Sequence, residues 1–125
     1  MKFDILDFDT VSLGDFLYKQ ETSPSPQFSI KQLSRIAHNS HNSINRRYRK
    51  FMRFKRSDDS NINKARAKRC CNMVNQHIKD LKKVRRYLKK NGMDSQHPVF
   101  TNKINKWIDQ CEKIHIRYKH HIDNL

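Results

Sequence analysis

Three stretches of this chain place apolar residues at alternating gaps of three and four, the period at which an α-helix brings side chains back to one face. Ile30, Leu33, Ala37, Ile44, Tyr48, Phe51 and Met52 predict a helix over residues 29 to 56. Cys70, Val74, His77, Leu81, Val84 and Leu88 predict a second over 60 to 91, and Phe100, Ile104, Trp107, Cys111, Ile114, Tyr118 and Ile122 a third over 98 to 122. A seam of this rhythm suits helices packed at a shallow angle. The punctuation agrees with these boundaries. Ser29 and Gln32 have capping-box spacing, Ser57-Asp58-Asp59-Ser60 supplies N-caps, Gly92 follows Lys89 and Lys90 as a C-cap, and Pro98 suits a first helical turn. Both connections are short, so neighbouring helices should run antiparallel. The fold class expected is all-α, an up-down-up three-helix bundle with a short acidic-hydrophobic N-terminal segment.

That segment differs electrically from the rest of the chain. Residues 1–22 carry Asp4, Asp7, Asp9, Asp15 and Glu21 against Lys2 and Lys19. Ser12 and Asp15 have the spacing of another capping box, ahead of Phe16, Leu17 and Tyr18, which predicts a short helix. Ser23-Pro24-Ser25-Pro26 then reads as an extended linker, because each proline pushes its predecessor away from helical angles. Residues 1–28 are therefore expected as the acidic segment and linker, and 29–125 as the basic bundle. The apolar side chains of the segment suit docking either onto the chain's own bundle or into a groove of a protein partner, with Leu13, Phe16, Leu17 and Tyr18 as the contact residues. The run Ser12-Leu13-Gly14-Asp15-Phe16-Leu17-Tyr18 resembles, over seven residues, the short hydrophobic peptides by which phage replication and transcription proteins bind a sliding clamp. The resemblance implies a protein partner for residues 1–22.

Charge changes the picture most. The 125 residues hold 27 Lys+Arg against 12 Asp+Glu, a formal net charge of +15, which repels itself unless a polyanion is near. The densest cluster is Arg46, Arg47, Arg49, Lys50, Arg53, Lys55 and Arg56, continued across a turn by Lys64, Arg66, Lys68 and Arg69. Tyr48 and Phe54 interleave with it and are candidates for stacking on unpaired bases. The third helix returns to this end and should add Arg117, Lys119, His120 and His121. Arginine forks match phosphate oxygens and base edges, so this pole is the candidate site for DNA or RNA, or for a nucleoprotein surface. A second patch, Lys79, Lys82, Lys83, Arg86, Lys89 and Lys90, occupies the far half of the middle helix. The function expected is a non-catalytic nucleic-acid-binding or nucleoprotein-associated accessory protein. Its rival is an adaptor or inhibitor that docks a replication or transcription protein through residues 1–22 and the basic faces.

Other classes are disfavoured by what the residues lack. No apolar run approaches the length of a spanning helix, so no membrane partner is expected. The start of the chain has no secretory pattern, and Cys70, Cys71 and Cys111 are an odd set whose adjacent members do not readily pair, so reduced thiols and a cytoplasmic location are expected. Asp7-Phe8-Asp9-Thr10-Val11 matches the nucleophile motif of haloacid-dehalogenase-type phosphotransferases, but that motif ends the first strand of a parallel sheet that this chain cannot build. No enzyme activity and no cofactor are expected. Counting inward from the two turns sets His41, His77 and Cys111 at similar heights, with His115 one turn beyond Cys111. Cysteine and histidine four apart on a helix are able to share a metal ion. A histidine in a seam is more often a hydrogen-bonded core residue, and a buried cysteine a small apolar filler, so the expectation is a polar layer without metal.

Overall fold

A computed structural model describes residues 12–22, 29–54 and 60–124, with the side chains of Thr22, Phe54 and residues 60–63 left aside. The described residues form helices and no strand: α1 Leu13–Thr22, α2 Ile30–Phe54, α3 Ser60–Lys90 and α4 Pro98–Asp123. The start of α2, the end of α3 and both ends of α4 fall within one residue of the expected positions. Their termini show why. At α2 the Gln32 backbone N–H donates to Ser29 Oγ and the Ser29 N–H to Gln32 Oε1, each at 3.1 Å, the reciprocal capping box. At the end of α3, Gly92 takes φ +66°, where a side chain is disfavoured. The turn lets Met93 N–H reach Leu88 O at 2.8 Å and Gly92 N–H reach Lys89 O at 3.2 Å. These two bonds satisfy carbonyls that the helix leaves open. Pro98 opens α4 where its missing N–H costs nothing.

Among the described residues the expected three-helix bundle is corrected to four helices. Ser12 Oγ accepts from the Asp15 N–H at 3.1 Å and starts α1, whose Leu13, Phe16 and Leu17 are buried with the core of the bundle. A helix this short is marginal alone, so its stability comes from that burial. α1 lies against α2 and α3. The Leu13 N–H donates to Ser40 Oγ on α2 at 3.1 Å, which fixes its first turn. Gly14 supplies the close approach to α3: a Cβ there would stand 3.0 Å from Asp80 Oδ2. The ion pair Lys83–Glu21, 3.7 Å and exposed, adds little beside the apolar contact.

α3 is the central element and packs most extensively on α4. Arg85 reaches Asn105, and the Cys70 thiol lies beside Tyr118, so α3 and α4 run antiparallel. α2 runs parallel to α4, with His41 at the level of Cys111 and Phe51 at the level of Tyr118 and His121. Because α3 has neighbours on several sides, its buried stripe is broader than the expected seam. Cys71 rather than Cys70 is buried, and Ile78 and Asp80 are buried with it. On α4 Ile108 is core, while Trp107 is half-buried. On α2 Ile36 joins the core, and Met52 is exposed. The proline linker, Ser57 to Asp59, and the Asp7–Val11 motif lie outside the described residues.

Candidate functional site

Two features concentrate chemistry. The first is the pole where the C-terminal ends of α2 and α4 meet the N-terminal part of α3. Only residues 55–59 separate α2 from α3, which holds these ends together. Aromatic contacts fix α4 against α2: Phe51 lies 5.0 Å from both the Tyr118 and His121 rings, and Tyr48 meets Tyr118 edge-on at 5.5 Å. Arg46, Arg47, Arg49, Lys50 and Arg53 on α2, Lys64, Arg66, Lys68 and Arg69 on α3, and Arg117 and Lys119 on α4 are all exposed around this end. Neither Lys83–Glu21 nor Lys113–Asp109, the latter at 3.4 Å within α4, lies there. Two helix C-termini and one N-terminus contribute a net partial charge of roughly −0.5. Together with the exposed Asp123 carboxylate at the end of α4, that offsets between one and two of the eleven cations, so the excess potential is positive.

Within the pole, Arg47 differs from the rest by turning toward α1, where it lines the cleft described below. Tyr48, the candidate for base stacking, has a partner within the chain. It is half-buried, its hydroxyl accepts from Arg117 Nη1 at 2.9 Å, and the Arg117 guanidinium lies 6.0 Å from its ring centroid. Its role in the structure is to hold Arg117. Lys55, Arg56 and the Phe54 side chain lie outside the described residues. Burial pushes the Tyr118 hydroxyl and the Cys71 thiol up in pKa, and Lys119 opposes the shift at Cys71, which sets that lysine beside the start of α3.

The second patch is more dispersed. Lys79, Lys82, Arg86, Lys89 and Lys90 are exposed along α3, while Lys83, less open than these, pairs with Glu21 of α1. Of the four residues assigned to a protein partner, Leu13, Phe16 and Leu17 are buried in the chain's own core and only Tyr18 is exposed.

The second feature is the layer at mid-height. His41, His77 and Cys111, one from each long helix, are all buried, with donor atoms within 4.8 Å of one another. His41 Nδ1 stands 3.2 Å from His77 Nε2 and 3.7 Å from Cys111 Sγ. His41 Nε2 is 3.3 Å from Gln110 Oε1, and its ring stacks on Trp107 at 4.6 Å and 18°. Burial, with His41 adding to it, lowers the His77 pKa to about 4; burial also lowers His41 and pushes the Cys111 thiol up to about 12. The layer is uncharged at neutral pH. His115, expected near it, is half-buried and outside this group of donors. The seam pattern passes over Gln110 and takes Trp107 as core; their signal is position, adjacent to Cys111 in one case and one helical turn before it in the other. His77 also lines a cleft of about 720 Å³ between α1, α2 and α3, which Arg47, Asp80 and Lys83 border as well. Burial raises the Asp80 pKa, opposed by the hydrogen bond that Gln76 donates at 3.1 Å and by Lys83.

No helix among the described residues is long and apolar enough to cross a membrane. No family model, curated protein or solved structure matches this chain.

Proposed function

We propose that this protein is a non-catalytic accessory factor that binds DNA or RNA, or a nucleoprotein surface, through the basic pole. One observation carries the reading: the ends of three helices gather ten exposed cations besides Arg47, which turns toward α1, while Asp123 and the helix dipoles offset between one and two charges. Helix dipoles do not account for that density: cations near a helix C-terminus contribute about 0.3 to 1 kcal/mol each, but Lys64, Arg66, Lys68 and Arg69 lie in the N-terminal part of α3, where the dipole gives them nothing. A polyphosphate gains from every cation it meets, through release of condensed counterions. The rival adaptor reading has a weaker footing, because burial of Leu13, Phe16 and Leu17 takes the anchoring side chains away from any partner.

The test compares Arg46→Ala/Arg49→Ala/Arg53→Ala with Lys82→Ala/Arg86→Ala/Lys89→Ala on duplex DNA, single-stranded DNA and structured RNA across a salt series. Every cation that no longer meets a phosphate should make the slope of log affinity against log salt shallower by about 0.7 to 0.9. The pole variant is expected to lose the larger share of affinity, because its residues share one helix face beside other cations. Equal and small losses for both variants on all three ligands would reduce the pole to a solvated face.

A further inference from the structure

We propose that His41, His77 and Cys111 form a zinc site that ties the three long helices to one another. The distances are those of metal ligands. Tetrahedral zinc with Zn–N of about 2.05 Å and Zn–S of about 2.3 Å sets N···N edges of about 3.3 Å and N···S edges of about 3.6 Å. The His41–His77 separation of 3.2 Å and the His41–Cys111 separation of 3.7 Å match these two edges. The third edge, His77 to Cys111, is within 4.8 Å, so small side-chain rotations close the triangle.

The hydrogen bonds favour the same conclusion. Gln110 Oε1 is an acceptor, so the His41 nitrogen it faces, Nε2, carries the proton, and the His41 Nδ1 lone pair points into the layer. Gln110 thus serves as the outer partner that fixes the tautomer of a metal-ligating histidine. Stacking on Trp107 fixes the ring plane. Without an ion, that one lone pair faces two donors, the His77 Nε2–H and the Cys111 S–H, and accepts fully from only one of them. A zinc ion resolves the conflict. The Cys111 proton leaves to solvent, the His77 proton resides on Nδ1, and both freed lone pairs join that of His41 on the metal. Of the three ligands only His77 lines the cleft bordered by α1, so the ion would enter from that side, where a water would complete the tetrahedron.

The experiment uses the full reduced chain, freed of metal by chelator, and needs no nucleic acid, so its outcome is separate from that of the basic-pole reading. Cobalt(II) serves as the optical probe and zinc competes it away. One equivalent of cobalt should produce a thiolate-to-metal charge-transfer band and intense tetrahedral visible bands, and zinc but not magnesium should raise the melting temperature. Cys111→Ser should abolish the charge-transfer band, whereas Cys70→Ser and His115→Gln should keep it. Gln110→Ala should keep the spectral shape but weaken zinc binding about 10- to 100-fold, as loss of an outer partner does. Absence of the bands in the wild-type protein, their survival in Cys111→Ser, or their loss in both control variants would overturn the site. The wild-type titration decides the matter even where a variant fails to fold.

Discussion

Replacing Phe16 by alanine tests whether α1 belongs to the folded unit. Phe16 is 6% exposed, between the α2 and α3 faces that α1 covers, together with Leu13 and Leu17. A buried phenylalanine removes about 150 to 250 Å² from water, which at about 25 cal/mol per Å² bounds its contribution near 4 to 6 kcal/mol. Large-to-small substitutions at such sites cost about 3 to 5 kcal/mol. With an unfolding entropy of about 2.1 cal/mol/K per residue, this chain should lose roughly 10 to 20 °C in melting temperature. Ile116, on the outer face of α4 and 65% exposed, supplies the control: Ile116→Ala should change stability by no more than about 0.5 kcal/mol. Leu81→Ala, at a site with no exposure in the centre of α3, sets the scale for a core cavity at about 2 to 5 kcal/mol. Thermal melts followed by circular dichroism, with urea titrations for the free energies, compare the three. If Phe16→Ala melts like Ile116→Ala rather than like Leu81→Ala, α1 is not docked and its apolar face is available to a partner.

Two further outcomes follow from the backbone and from the buried layer. Gly92→Ala forces a side chain into the left-handed region at φ +66°, and although no atom crowds that position, the urea midpoint should fall by an amount equivalent to about 1 to 2 kcal/mol; an unchanged midpoint would refute the role of the turn in ending α3. In chelator-treated protein, stability should decline as the pH falls from about 7 toward 4, because the unfolded chain protonates histidine near 6.5 while folded His77 resists down to about 4; Asp80, whose carboxyl burial holds above its usual range, offsets part of this at the acid end. The full loss is on the order of 3 kcal/mol for this group, with His41 adding in the same direction. Equal urea midpoints at pH 7 and pH 4.5 would mean that His77 is not held neutral by burial.

The residues alone determined most of the secondary structure and the level at which chemistry gathers. Helix termini are local events: the Ser29–Gln32 box, the Gly92 turn and Pro98 act within one turn of chain, so their positions were legible before any packing was known. The heights of His41, His77 and Cys111 followed from a constant rise per residue counted from the two turns. What the sequence left open depends on which neighbours each helix finds. Successive residues on a helix differ by about 100° in direction, so periodicity locates a face but not its width. The width was set by packing: α3 meets the other three helices, which buries Cys71, Ile78 and Asp80 outside the expected seam. The same ambiguity exchanged Trp107 for Ile108 in the core and turned Trp107 onto the His41 ring. Docking of α1 was undecidable from sequence, because Leu13, Phe16 and Leu17 lose the same apolar area to water whether they cover this bundle or another protein. Only the tertiary structure decided it, through the space Gly14 leaves for Asp80 and the hydrogen bond from Leu13 to Ser40.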